Sequence, residues 1–197
     1  MASRLRIFVS AGPDLQVERE VIGKAVASLP VSLGWVIKYT PGRGEPLAPA
    51  LEPVAASHFY ALLLGTDISA PVGSELYIAR QGAKRISAFL KDGPHTPAAH
   101  VFISDASLEW NHFRSEDELG PLLQRALAEQ ILEGAQAYSI SPVDWETLSA
   151  FLAEAKEREG EEVAPGYRGA GNGAVIVAPG RDLPSEGVLI EEPEASS

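Results

Sequence analysis

Short unbroken apolar runs alternate along the chain with longer segments whose apolar positions fall at helical spacing. Leu5-Arg6-Ile7-Phe8-Val9 opens the series and stops at the breaker Ser10-Ala11-Gly12-Pro13. Asp14 is placed to cap a helix through about Ser28, with Val17, Val21, Ile22, Ala25 and Leu29 on one face. Ser32 to Tyr39, with Trp35, Val36 and Ile37, reads as a second strand, and Thr40-Pro41-Gly42-Arg43-Gly44-Glu45-Pro46 as an exposed loop. A helix over Leu47 to Ala56, weakened by Pro49 and Pro53, precedes the wholly apolar run Phe59 to Leu64.

The second half continues the alternation. A helix is expected from about Ser74 to Gln81, stopped by Gly82, then a strand over Arg85 to Leu90. His100-Val101-Phe102-Ile103 reads as a short fifth strand. Ser115-Glu116-Asp117-Glu118 forms a capping box ahead of a stripe made by Leu119, Leu122, Leu123, Ala126, Leu127 and Ile131. Ser141-Pro142 starts a last helix, with Leu148, Phe151, Leu152 and Ala155 on its apolar face and Gly160 as its stop.

Strands that read as continuous apolar runs, separated by helices of about 10–15 residues, predict a parallel sheet covered on both faces. The expected fold is therefore α/β, three-layered, over residues 1–133, with a helical extension over 134–160. From Glu161 the composition shifts to glycine, proline and glutamate. There Ala174 to Val177 and Val188 to Ile190 are spaced for a terminal β-hairpin within the tail 161–197.

Composition narrows the function classes. The chain has 197 residues, a net charge of -11 and no cysteine, which removes disulfides, thiolate catalysis and cysteine zinc sites. No clustered basic face is visible, so a nucleic-acid partner is not expected. No apolar run approaches the roughly 20 residues that span a bilayer, and the start runs straight into a strand-like segment, so neither a membrane nor a secretion signal is expected. A cytoplasmic protein is the expectation. The four histidines, His58, His95, His100 and His112, lack metal-ligand spacing, and neither Gly42-Arg43-Gly44 nor residues 169–173 make a phosphate loop. No metal or cofactor is called for.

The stretch Gly65-Thr66-Asp67-Ile68-Ser69-Ala70-Pro71-Val72-Gly73-Ser74-Glu75 follows the apolar third strand and leads into a helix. Such a junction lies at the carboxyl end of a parallel sheet, where ligands bind. Glu75 is the candidate catalytic carboxylate; its ordinary alternative is a first-turn acid that complements the helix dipole. Ser10, Asp14, Arg19, Asp67 and Ser74 are candidate substrate-binding residues around it. Four of them also have a structural reading: Asp14 and Ser74 as caps, Asp67 as a turn residue bonding its own backbone, Arg19 in a helix-surface ion pair.

Ile7-Phe8-Val9-Ser10, Asp14-Leu15 and Glu18-Arg19-Glu20 resemble the opening of the "domain of unknown function 4062" family. Ser74-Glu75 with Ala79, the strand Ile86 to Leu90, and Trp110, Phe113 and the helix from Ser115 are similar to its later segments, so the resemblance covers about residues 4 to 133. It implies a flavodoxin-like parallel sheet akin to TIR domains and nucleoside 2-deoxyribosyltransferases. In both relatives a glutamate at the start of the third helix attacks or stabilises the sugar carbon of an N-glycosidic bond, and Glu75 matches that position. The implied activity is an N-glycosidase acting on NAD or a related nucleotide or nucleoside, as substrate rather than cofactor, in bacterial signalling or defence. The aromatic-Gly pair usual after the family's third strand is replaced here by Thr66-Asp67. That departure and the tail's composition motivate the alternative: a non-catalytic ligand-sensing or protein-interaction module. Self-association, or a protein partner docked through the C-terminal tail, fits either reading.

Overall fold

Among the described residues five strands lie side by side and all run in the same direction. In the computed structural model they are β1 (Leu5–Ala11), β2 (Trp35–Tyr39), β3 (Phe59–Leu64), β4 (Ile86–Lys91) and β5 (Trp110–Phe113). Their order across the sheet is β2-β1-β3-β4-β5. Among the described residues seven α-helices connect or follow them: α1 (Gln16–Ala27), α2 (Ala48–Ala56), α3 (Ala70–Gln81), α4 (Pro97–Asp105), α5 (Glu116–Glu133), α6 (Ala135–Tyr138) and α7 (Pro142–Glu162). The structure describes residues 4–31, 33–42 and 48–162, without the side chains of 48–50 and 159–162. The hairpin expected within 161–197 lies outside the described residues.

An all-parallel sheet in the order 2-1-3-4-5, with helices on both faces, is the flavodoxin-like arrangement. The pleat assigns the faces. Leu5, Ile7, Val9 and Ala11 of β1 join Phe59, Ala61 and Leu63 of β3 in a core closed by α1, α5 and α7. Phe8, Tyr60 and Leu62 point the other way and pack under Val54 of α2 and Val72, Leu76 and Ala79 of α3. Every residue of β3 is buried, as its unbroken apolar run requires of a central strand. Leu148 and Leu152 bury the apolar face of α7 in the first core, so this part of the helical extension packs onto the sheet domain.

Four local expectations are corrected. The third helix begins at Ala70, not Ser74: Ser69 takes the cap position, and Pro71 has the backbone angle the first turn needs. Residues 100–103 are not a strand but the middle of α4. Thr96 caps that helix by accepting the Ala99 N–H at 3.2 Å, and Pro97 occupies its first turn. The fifth strand is Trp110–Phe113 instead. Asp14 does not cap α1, because Pro13–Leu15 form a single 3-10 turn and the Asp14 carboxylate is turned toward the β3 loop.

The capping box at Ser115 does not close, because Glu118 reaches the residue before the cap. Glu118 accepts the Arg114 N–H at 2.7 Å, while the Ser115 side chain makes no capping bond. At α7 the serine does cap: Ser141 Oγ accepts the Asp144 N–H at 3.1 Å and donates to Asp144 Oδ2 at 2.7 Å. That helix passes the expected stop at Gly160 and runs to Glu162.

Candidate functional site at the carboxyl ends of the strands

Ser10 is the last residue of β1 whose side chain points toward α3, and Thr40 directly follows β2. Both therefore stand at the carboxyl edge of the sheet. Because α3 starts early, Glu75 lies in its second turn rather than its first, so the reading of Glu75 as a first-turn dipole acid is removed. One face of α3 carries Val72, Leu76 and Ala79 down onto the sheet, and Glu75 goes down with them. It is completely buried.

Two hydroxyls meet the same carboxylate oxygen. Ser10 Oγ donates to Glu75 Oε2 at 2.6 Å and Thr40 Oγ1 donates to it at 2.7 Å. Thr40 Oγ1 in turn accepts the Ala11 N–H at 3.0 Å. Glu75 Oε1 is buried without a hydrogen-bond partner. Burial raises the proton affinity of Glu75 above the ordinary carboxylate range, opposed by the Ser10 and Thr40 hydroxyls and the Arg19 guanidinium.

Arg19, from α1, donates from Nη2 to the Ala11 carbonyl at 2.5 Å, and its Nε is buried without a partner. The expected ion pair on the helix surface is not among its described contacts; Arg19 belongs to the neighbourhood of Glu75. The Tyr60 hydroxyl of β3 is a further buried group, beside Ser10 and Glu75. Burial, with Glu75 nearby, pushes it well above the usual phenol range, so it stays protonated.

The other candidates form a separate group on the loops. Asp14 Oδ2 accepts the Thr66 N–H at 2.8 Å. Asp67 Oδ1 accepts the Ile68 N–H at 2.9 Å and the Thr96 hydroxyl at 2.5 Å. Asp67 thus makes the local bond its turn position suggested, and it also ties the β3 loop to the start of α4. A Cβ at Gly65 would crowd the Asp14 carboxylate and Leu15, so the Asp14 side chain would have to give way. The Thr66 N–H at this crevice is therefore already taken by a carboxylate. Ser74 directs its hydroxyl to the Ala70 carbonyl within α3, at 3.5 Å.

The structure brings Ser10, Arg19 and Glu75 together, pairs Asp14 with the Asp67 loop, and leaves Ser74 on the helix. Sequence reasoning missed Thr40 and Tyr60. A signal existed for Thr40: like Ser10, it is a hydroxyl at the carboxyl end of an apolar strand. Tyr60 is the one polar-tipped residue inside an apolar run.

Among the described residues, cavities also lie elsewhere. One of about 230 Å³ is at the amino ends of β4 and β5 beside α5, and one of about 260 Å³ lies between β1, β2 and α2. A third, of about 460 Å³, lies beside α5 and α7. Glu75 lines none of the three. Among the described residues no group of acidic, histidine or cysteine side chains is arranged to hold a metal, and no helix is long and apolar enough to cross a membrane.

No protein-family model matches the chain, and no curated protein matches it. A solved structure, the metal-soaked Flv1 flavodiiron core from Synechocystis, is similar to it at 12% identity with a TM-score of 0.42. The match covers 65% of this chain and 37% of that one. The chain thus spans little more than a third of that protein's length. The fold assignment rests on the strand order given above.

Proposed function

We propose that this chain is a TIR-like N-glycosidase acting on NAD or a related nucleotide or nucleoside, with Glu75 as the working carboxylate. The reading is carried by one observation: a completely buried glutamate at the carboxyl edge, whose Oε2 holds two hydroxyl donors while Oε1 holds none. Departure of a base from a ribose leaves an oxocarbenium-like centre, which a fixed negative charge stabilises and a close carboxylate can trap. Both hydroxyls donate to Oε2, which suits the ionised form and leaves Oε1 to face the sugar carbon. Because Glu75 has no exposed surface, substrate entry requires the elements that cover it to part. A cytoplasmic role in bacterial signalling or defence accompanies the resemblance and is part of the same proposal.

The test is incubation of the purified full chain with NAD, NADP and a panel of nucleosides, followed by chromatography for released base. Release is expected from the wild type and lost in Glu75→Gln, with the helical content of the two proteins equal. Equal turnover by the variant would remove Glu75 from the chemistry.

A second reading is favoured by the same burial. Glu75 ties α3 to β1 and to the residue after β2, which is what a structural clamp in a non-catalytic ligand-sensing or protein-interaction module does. That module predicts no base release, together with a partner or self-association lost on removing residues 161–197. Unchanged association after the deletion would count against it.

A further inference from the structure

We infer that Thr40 is a positioning residue that, with Ser10, occupies Glu75 Oε2 and so makes Oε1 the oxygen that takes a proton or meets a ligand. The part concerning the ligand rests on the reading proposed above; the part concerning the proton does not. The geometry is specific. Thr40 Oγ1 accepts the Ala11 N–H at 3.0 Å, so its single proton is left for Glu75, 2.7 Å away. The Ser10 proton goes to the same oxygen at 2.6 Å. An oxygen that accepts two hydroxyl protons has no room for one of its own, whereas Oε1 is buried and without a partner.

The Ala11 amide belongs to β1, and Thr40 is fixed to that strand a second time, its own N–H donating to the Val9 carbonyl at 3.1 Å. Thr40 is thus held by two backbone bonds to the neighbouring strand, and its hydroxyl direction is set before any ligand arrives. Among the described residues, the charged and titratable groups facing Glu75 from the other elements are Arg19 of α1 and Tyr60 of β3. A hydroxyl that donates to the ionised carboxylate favours that form, so its loss must raise the proton affinity of Glu75.

The experiment is a carbon-13 NMR titration of the Glu75 carboxyl in the full chain. The variants are Thr40→Val, which keeps the shape and removes the hydroxyl, and Thr40→Ser, which restores it. The Glu75 midpoint is expected to rise by roughly one pH unit in Thr40→Val and to return in Thr40→Ser. If base release is detected, the acid limb of its pH profile moves by the same amount. A protein that shows the titration shift without any base release keeps the inference and loses the N-glycosidase. An unchanged midpoint in Thr40→Val, or a Thr40→Ser protein that stays shifted, overturns the inference. Should Thr40→Val not fold, the unmodified protein decides. There the Thr40 hydroxyl proton is expected to exchange slowly and to follow the Glu75 titration, and a freely exchanging hydroxyl overturns the inference.

Discussion

Two groups of carboxylates stand at the carboxyl ends of the strands, and they differ in how completely they are satisfied. Asp14 and Asp67 are exposed, and each spends its described bonds on the loops that surround it: the Thr66 amide, the Ile68 amide and the Thr96 hydroxyl. Glu75 is fully buried, has two donors on one oxygen and none on the other. An exposed carboxylate costs little to keep and fixes a loop for the energy of an ordinary hydrogen bond. A buried one costs several kcal/mol in lost hydration. Hydrogen bonds to a charged group return about 1.5–3 kcal/mol each, so two of them offset part of that cost. Leucine or methionine at 75 would extend the apolar face already made by Val72, Leu76 and Ala79 without the cost. The comparison teaches that the loop carboxylates explain themselves structurally, whereas Glu75 keeps one buried oxygen that no described group satisfies.

Substitutions can break that division. The largest stability effect is expected at Gly65→Ala, whose new methyl would collide with the Asp14 carboxylate and with Leu15. A loss of about 1–3 kcal/mol is expected in urea unfolding, as for other overpacked sites. Adding Asp14→Ala should recover part of it, since the nearer of the two clashes disappears; purely additive losses would contradict the close packing of carboxylate on glycine. Asp14→Ala alone should cost about 1 kcal/mol by releasing the Thr66 amide. Asp67→Ala should cost about the same or less, because its loop is exposed.

The smallest effect is a pH dependence, and it is specific to Glu75. Its proton affinity is higher in the folded chain than in the unfolded one, so the folded state gains from protonation. The resulting stabilisation is complete below the unfolded value of about 4.5 and is lost as pH rises through the higher folded value. Denaturant unfolding of the wild type and of Glu75→Gln over that range should show the wild type losing ground to the variant with rising pH. A difference that grows in the opposite direction would mean that Ser10, Thr40 and Arg19 outweigh burial.

Much of this was legible before any coordinates. The apolar runs at Leu5 to Val9, Phe59 to Leu64 and Ile86 to Leu90 are strands because they are short, unbroken and flanked by breakers, and the helical stripe behind Ser115 is α5. The misreadings were local. His100 to Ile103 is apolar enough for a strand, but Thr96-Pro97 just ahead is a helix start, and that punctuation outweighed the run. Likewise Ser74-Glu75 resembles a helix opening, yet Ser69 and Pro71 open it a turn sooner. At the site, the position of Glu75 near the carboxyl edge was readable from the strand–loop–helix order. Its hydroxyl partners were only half readable. Ser10 shares a motif with the first strand, whereas Thr40 is 35 residues from Glu75 and meets it only because β2 pairs with β1. Contacts made through strand pairing leave no spacing in the chain.

The division between the two groups is tested most directly by measuring base release from NAD and nucleosides by wild type, Glu75→Gln, Asp14→Asn and Asp67→Asn side by side. The account predicts a loss of about 10²–10³-fold in Glu75→Gln, the size expected when a stabilising group in the transition state is removed. The two aspartate variants should retain activity within about tenfold. Full activity in Glu75→Gln, or a loss in Asp14→Asn or Asp67→Asn as deep as in Glu75→Gln, would contradict it.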